Sequence, residues 1–157
     1  MERFVQGFLR SSLVWLGIGV AMGVAMAFWP PAVAFRPAHM HANLLGFVSM
    51  MIFGVAYHVV PRFTSAALHS RRTASIHLVV ANAGLALQVT GWMLAPYLSW
   101  SIAPLRTGAA LSATGALLFI YNIWRTIDAA PTGQVVGLQA PAARPPVAIV
   151  RNRGGAR

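Results

Sequence analysis

The sequence predicts an all-α integral membrane protein folded as a four-helix bundle. Hydrophobic residues make up 57% of the 157 residues and charged residues only 9%, whereas soluble domains average about 25% charged residues. The chain also contains four apolar stretches, each long enough to cross a hydrocarbon core roughly 30 Å thick at about 1.5 Å of rise per residue. Composition and stretch length together exclude an ordinary water-soluble fold.

The four stretches cover approximately residues 12–29, 39–60, 74–95 and 102–124. Short links that contain Pro30-Pro31, Pro61, Pro96 and Pro104 are expected to separate them, because proline breaks a helix interior. The first stretch ends in aromatic and proline residues without a small-residue cleavage site, so we interpret it as a helix and not as a signal peptide. The predicted organisation is an N-terminal segment (1–11), a four-helix membrane domain (12–124) and a flexible basic tail (125–157) rich in Pro, Gly, Ala and Arg.

The charges predict an orientation in the membrane. The chain has twelve Arg, no Lys and two acidic residues, which gives a net charge of +10. If the N-terminus is cytoplasmic, ten Arg fall on the inner side and only Arg36 and Arg106 on the outer side. The positive-inside rule then predicts a bacterial-type inner membrane protein with both termini cytoplasmic. The basic charge therefore indicates topology and attraction to the lipid bilayer, and no nucleic-acid partner is expected.

The candidate chemistry lies in residues 36–43, at the start of the second stretch. The absence of Cys excludes thiolate metal sites, so histidine is the remaining strong nitrogen ligand. His39 and His41 stand two residues apart, and their directions on a helix differ by about 200°. They cannot bind one iron from its two sides within a single chain, so each must serve a different neighbouring surface. The residues alone leave both a ligand role and an ordinary helix-end role open.

The segment AHMHANLLGFVSMMIFGVAYHVVPRF, residues 38–63, resembles the tenth transmembrane helix of the catalytic subunit of heme-copper oxidases, most closely that of the cbb type. The resemblance implies that His39 corresponds to the high-spin heme ligand and His41 to the low-spin heme ligand. It rests on a shared pattern, formed here by His39, His41, Gly46-Phe47-Val48, Gly54, Tyr57-His58 and Pro61-Arg62.

The same segment also resembles the second helix of that subunit, where an Arg-Pro-x-His start carries the other low-spin heme ligand. Here this start reads Arg36-Pro37-Ala38-His39. The family subunit has twelve helices in three similar four-helix arcs, so this chain corresponds to one third of that architecture. The resemblance implies a homotrimer in which His39 of one copy and His41 of the next bind the iron of a shared heme b. Residues 12–124 are then a heme-binding domain.

The chain also departs from the family pattern. The family's copper site needs a histidine on the sixth helix and two adjacent histidines on the seventh, and this sequence has no His-His pair. No copper is expected, and the resemblance favours a heme-binding relative over an oxygen-reducing enzyme. The predicted role is electron transfer, or redox or gas sensing, with an unidentified redox partner. The alternatives are a heme-handling or oxidase-assembly factor and a heme-free structural membrane protein.

Several polar residues have two interpretations each. Arg36 and Arg106 either pair with heme propionates or extend to lipid headgroups. Asn43 either holds the second ring nitrogen of His39 or joins helices.

The other three histidines, together with small residues, give two further expectations. His58, His69 and His77 lie near one membrane face, where they form either a metal site or interfacial residues. Small residues at four-residue spacing predict close helix packing: Gly17, Ala21, Gly108 and Ser112.

Overall fold

A computed structural model of the chain describes residues 1–131. These residues form four long helices: α1 (Arg3–Phe28), α2 (Pro30–Phe63), α3 (Arg71–Leu94) and α4 (Ser99–Asp128). Each helix is long and apolar enough to cross a membrane, which confirms the prediction of an all-helical integral membrane protein. Most of the predicted basic tail, from residue 132 onward, lies outside the described residues.

Helix α2 differs from its prediction at both ends. It begins with a 3₁₀ segment (Pro30–Phe35), becomes α-helical (Arg36–His41), widens into π turns (Ala42–Ser49) and returns to α-helix (Met50–Phe63). Pro30-Pro31 therefore open the helix and do not form a link, because a proline ring suits a first turn whose N–H groups lack partners.

Two other prolines also lie within helices and not in links. Pro61 is inside the last turn of α2, which ends two residues later at Phe63. Pro104 lies in the first turn of the α-helical part of α4 (Ile102–Asp128), where a missing N–H costs no helical hydrogen bond. Among the prolines expected in links, Pro96 is the one that the structure places between helices.

Helices α3 and α4 make the closest contact of the bundle at glycines. A Cβ atom added to Gly84 would lie 2.7 Å from the backbone nitrogen of Ser112, and one added to Gly108 would lie 2.6 Å from the carbonyl oxygen of Gly84. The packing predicted for Gly108 and Ser112 is therefore confirmed. The prediction is wrong within this chain for Gly17 and Ala21, which are exposed, because that side of α1 faces away from the other three helices.

The core contains a cluster of aromatic rings around His77. This histidine of α3 is fully buried. Its ring centroid lies 4.8 Å from that of Phe8 on α1, 4.7 Å from that of Phe53 on α2 and 5.8 Å from that of Phe119 on α4. All four helices therefore meet at this point, which lies away from the end of the bundle that carries His39 and His41.

Candidate functional site

The ring of His39 faces α1. Its Nδ1 atom lies 2.9 Å from the carbonyl oxygen of Gly19. Because a carbonyl oxygen can only accept, Nδ1 must carry the hydrogen and donate it. The lone pair of the neutral ring is then on Nε2, which is the form of histidine that binds a metal.

The ring of His41 is held in the same way but faces a different helix. Its Nδ1 atom lies 2.8 Å from the carbonyl oxygen of Pro37, one turn earlier in α2, so Nε2 again carries the lone pair. The ring centroid lies 6.0 Å from that of Trp92 on α3. The two histidines therefore face different neighbours, as their two-residue spacing predicts, and they do not form a two-sided clamp within the chain.

Asn43 lies beside His39 and against Gly19 of α1. Its Nδ2 atom donates to the backbone oxygen of His39 at 2.9 Å and lies 3.3 Å from the Nδ1 atom of the same residue. A Cβ atom added to Gly19 would lie 2.5 Å from this amide nitrogen. Asn43 thus fills the contact between α1 and α2. Because its amide nitrogen and the protonated Nδ1 of His39 are both donors, Asn43 lies next to the ring nitrogen without a hydrogen bond to it.

Glycine also leaves space beside the ring of His39. A Cβ atom added to Gly23 would lie 3.2 Å from Cε1 and 3.8 Å from Nδ1 of His39. A larger side chain at position 23 would therefore crowd the edge of the ring that donates to Gly19.

His41 lines an apolar groove on the outside of the bundle. The groove has a volume of about 210 Å³ and is formed by Met40, His41, Leu44 and Leu45. Leu44 is 56% exposed and Met40 48% exposed, so the groove opens toward lipid or a second protein chain. An apolar surface next to a ligand-competent histidine suits one face of a planar apolar group such as a porphyrin.

Arg36 and Arg106 lie at the same end of the bundle as the histidine pair, in the early turns of α2 and α4. Both side chains are exposed. Within residues 1–131, the one ion pair joins Arg71 to Glu2 at 3.1 Å. Neither Arg36 nor Arg106 is thus neutralised by a described carboxylate.

The remaining histidines occupy three separate environments. Nδ1 of His58 accepts a hydrogen bond from Arg62 at 2.8 Å, and the ring of His69 lies against that of Tyr121 with centroids 5.5 Å apart. His77 is in the aromatic core. In the part of the chain that the structure describes, no three His, Asp or Glu side chains come close enough to hold a metal ion, so these histidines do not form the metal site considered for them.

Two features of the site region were missed in the sequence. The interfacial role considered for His77 is wrong, because this residue is buried in the core. The sequence does contain a pattern that indicates this burial. A repeat at three- and four-residue spacing forms the buried face of α3: Ala74, His77, Ala81, Gly84 and Gln88. The π turns that follow His41 have no comparable signature, although such turns occur often at functional sites.

The helices, their length and their composition define an integral membrane protein of four spans. No protein-family model matches the chain. The cbb3-type cytochrome c oxidase subunit CcoN1 of Stutzerimonas stutzeri is 29% identical over an alignment 154 positions long, which covers 78% of this chain and 32% of that subunit. The chain thus spans about a third of the length of the curated relative it matches. The similarity is distant and supports a relation to the heme-copper oxidases only loosely.

Proposed function

We propose that this chain is a b-type heme protein of the membrane, related to subunit I of the heme-copper oxidases but without its copper site. The observation that supports the proposal most directly is the pair of Nδ1 hydrogen bonds, from His39 to Gly19 at 2.9 Å and from His41 to Pro37 at 2.8 Å. Each bond orients a ring and leaves its Nε2 atom able to bind iron. Heme held by two histidines would supply one-electron redox chemistry without an open iron position.

We further propose that each heme is shared between copies in a homotrimer. His39 faces α1, whereas His41 faces Trp92 of α3, so a second histidine for either one must come from a neighbouring copy. Cyclic symmetry makes every junction identical and brings the His39 surface of one copy to the His41 surface of the next. The exposed groove of Met40, Leu44 and Leu45 supplies an apolar wall for such a junction.

The cationic residues support the same placement. Heme carries two propionate groups, and arginine binds carboxylates through paired charge-assisted hydrogen bonds. Arg36 and Arg106 are exposed at the histidine end and would hold these groups near the water boundary. The other described arginines lie toward the opposite end, which we assign to the cytoplasm together with both termini.

In this proposal the protein carries electrons, reports redox state, or reports a gas that displaces one of the two histidines. Its redox partner is not identified. The protein's own contribution is to orient two imidazoles, to exclude water with apolar side chains and to pair the propionates. An oxidase-assembly or heme-handling role would use the same ligands with weaker retention of heme.

Absorption and electron paramagnetic resonance spectra of protein purified from heme-supplemented cells test the proposal. We expect a six-coordinate low-spin heme that is extractable without covalent cleavage, since the sequence has no Cys and hence no thioether attachment site. His39→Ala and His41→Ala should each lose that spectrum, whereas His58→Ala, at the other end of α2, should keep it. Colourless protein would refute heme binding, and heme lost during a single desalting step would favour the heme-handling role.

A further inference from the structure

One nitrogen of the buried His77 ring lacks a hydrogen-bond partner. The side chain is 0% exposed, and its Nδ1 atom lies 3.1 Å from the hydroxyl oxygen of Tyr57. Within residues 1–131, Nε2 of His77 is the buried side-chain polar atom that has no hydrogen-bond partner. A buried polar atom left in this state opposes folding, so a native structure normally supplies it with a partner.

A small cavity lies beside this ring, between α2, α3 and α4. Its volume is about 60 Å³, and His77, Ser49 and Ser112 are among the residues that line it. One water molecule needs roughly 10–15 Å³ of such space, and a dry cavity that admits benzene has about 150 Å³. At the roughly 30 Å³ that a water molecule occupies in the liquid, the cavity fits about two water molecules, and it is too small for an aromatic ring.

The unbonded edge of His77 faces this cavity. A Cβ atom added to Gly115 would lie 3.3 Å from Cδ2 of His77, the carbon bonded to Nε2. Gly115 stands on α4 between Ser112 and Ala116, both of which line the cavity. The Nδ1 edge, by contrast, faces Tyr57.

Two hydroxyl groups in the cavity wall retain hydrogen-bonding capacity. Ser112 Oγ accepts from the side-chain amide of Gln88 at 2.7 Å and keeps its own hydrogen to donate. Ser49 Oγ donates to the carbonyl oxygen of Leu44 at 2.9 Å and keeps its lone pairs to accept. With His77 Nε2 they make three polar atoms, and a buried water typically has two to four polar partners.

We propose that this partly open cavity between the helices is a binding site for a neutral, water-sized molecule, occupied by water in the membrane. The water bonds to His77 Nε2 and to a serine hydroxyl, and so links α3 to α2 or α4. The other wall residues are apolar, including Leu45, Leu85 and Ala116, so the site excludes ions. The site does not depend on heme and is independent of the function proposed above.

A structure of the full chain at a resolution that shows ordered solvent tests the site directly. We expect a solvent peak at a hydrogen-bonding distance of roughly 2.7–3.2 Å from His77 Nε2, and weaker occupancy of this peak in Ser112→Ala. Crystals under xenon provide the opposite probe, because xenon occupies dry apolar cavities. No solvent peak, or xenon bound in this cavity, would overturn the proposal.

A filling substitution gives a second test with a matched control. Ala116 lines the cavity, whereas Ala113, one turn away on the same helix, is exposed. If water occupies the site, Ala116→Val displaces it, leaves Nε2 unbonded and raises the unfolding equilibrium constant about fivefold or more relative to Ala113→Val. If the cavity is dry, the added methyl groups fill a void. An Ala116→Val protein that is as stable as Ala113→Val, or more stable, in a denaturant titration contradicts the proposal.

Discussion

The Nδ1 atom of His39 on α2 donates a hydrogen bond to the carbonyl oxygen of Gly19 on α1, 2.9 Å away. This contact connects residues twenty positions apart and determines both the direction of the imidazole and its tautomer. It also depends on Gly19 having no side chain, because Asn43 occupies the adjacent space. The candidate ligand is thus positioned by helix packing and not by α2 alone.

Substitution of Gly19 tests this dependence. A Cβ atom at position 19 would lie 2.5 Å from the Asn43 side chain, whereas one at position 17 would meet no atom within 4 Å. Gly19→Ala should therefore lower the free energy of unfolding by about 1–3 kcal/mol, since overpacking forces neighbouring groups to move. Gly17→Ala, the matched control, should change it by no more than about 1 kcal/mol and in the stabilising direction.

Denaturant titration in detergent micelles measures both variants, and the heme spectrum provides a second measurement. We expect a perturbed or weakened low-spin spectrum in Gly19→Ala and an unchanged one in Gly17→Ala. Equal stability and equal spectra for the two variants would show that His39 is not positioned by α1.

Sharing of ligands between copies is tested by mixing two variants. His39→Ala and His41→Ala should each abolish every two-histidine site, because each junction then lacks one ligand. When both variants are co-expressed, a mixed cyclic trimer contains one junction in which an intact His39 meets an intact His41. Partial recovery of the low-spin spectrum is expected in mixed trimers isolated through two different affinity tags. If such trimers form without any recovery, the shared-heme arrangement is wrong.

The ten-to-two distribution of Arg over the two sides predicts an orientation with both termini in the cytoplasm. Reporter domains fused before α1 and after α4 should both report a cytoplasmic location. An even number of spans requires the two ends to be on the same side. Reporters that place the ends on opposite sides would contradict the four-span topology.

The pair of Tyr57 and His77 should contribute to stability. Tyr57→Phe removes the hydroxyl that lies 3.1 Å from Nδ1 of His77 and leaves that buried nitrogen without its partner. We expect the free energy of unfolding to fall by about 1–3 kcal/mol. Tyr121→Phe removes a hydroxyl from an exposed ring of α4 and should have little effect, which makes it the control in the same titration.

The sequence by itself determined the number of membrane helices and the divergence of His39 and His41. Apolar run length is a local property, and four runs of sufficient length predict four spans. The angle between two residues on a helix is likewise determined by their spacing, so His39 and His41 had to face different neighbours wherever α2 was placed.

Tertiary structure decided which neighbours those are and which ring atoms remain free. The hydrogen bond of His39 to Gly19 and the contact of His41 with Trp92 join residues distant in sequence, so no local pattern specifies them. The same reason explains Gly17 and Gly108, which look alike in the sequence, although only Gly108 faces another helix closely. The repeat of small residues in α3 indicates the buried face that includes His77, but only the convergence of four helices places that histidine beside a cavity.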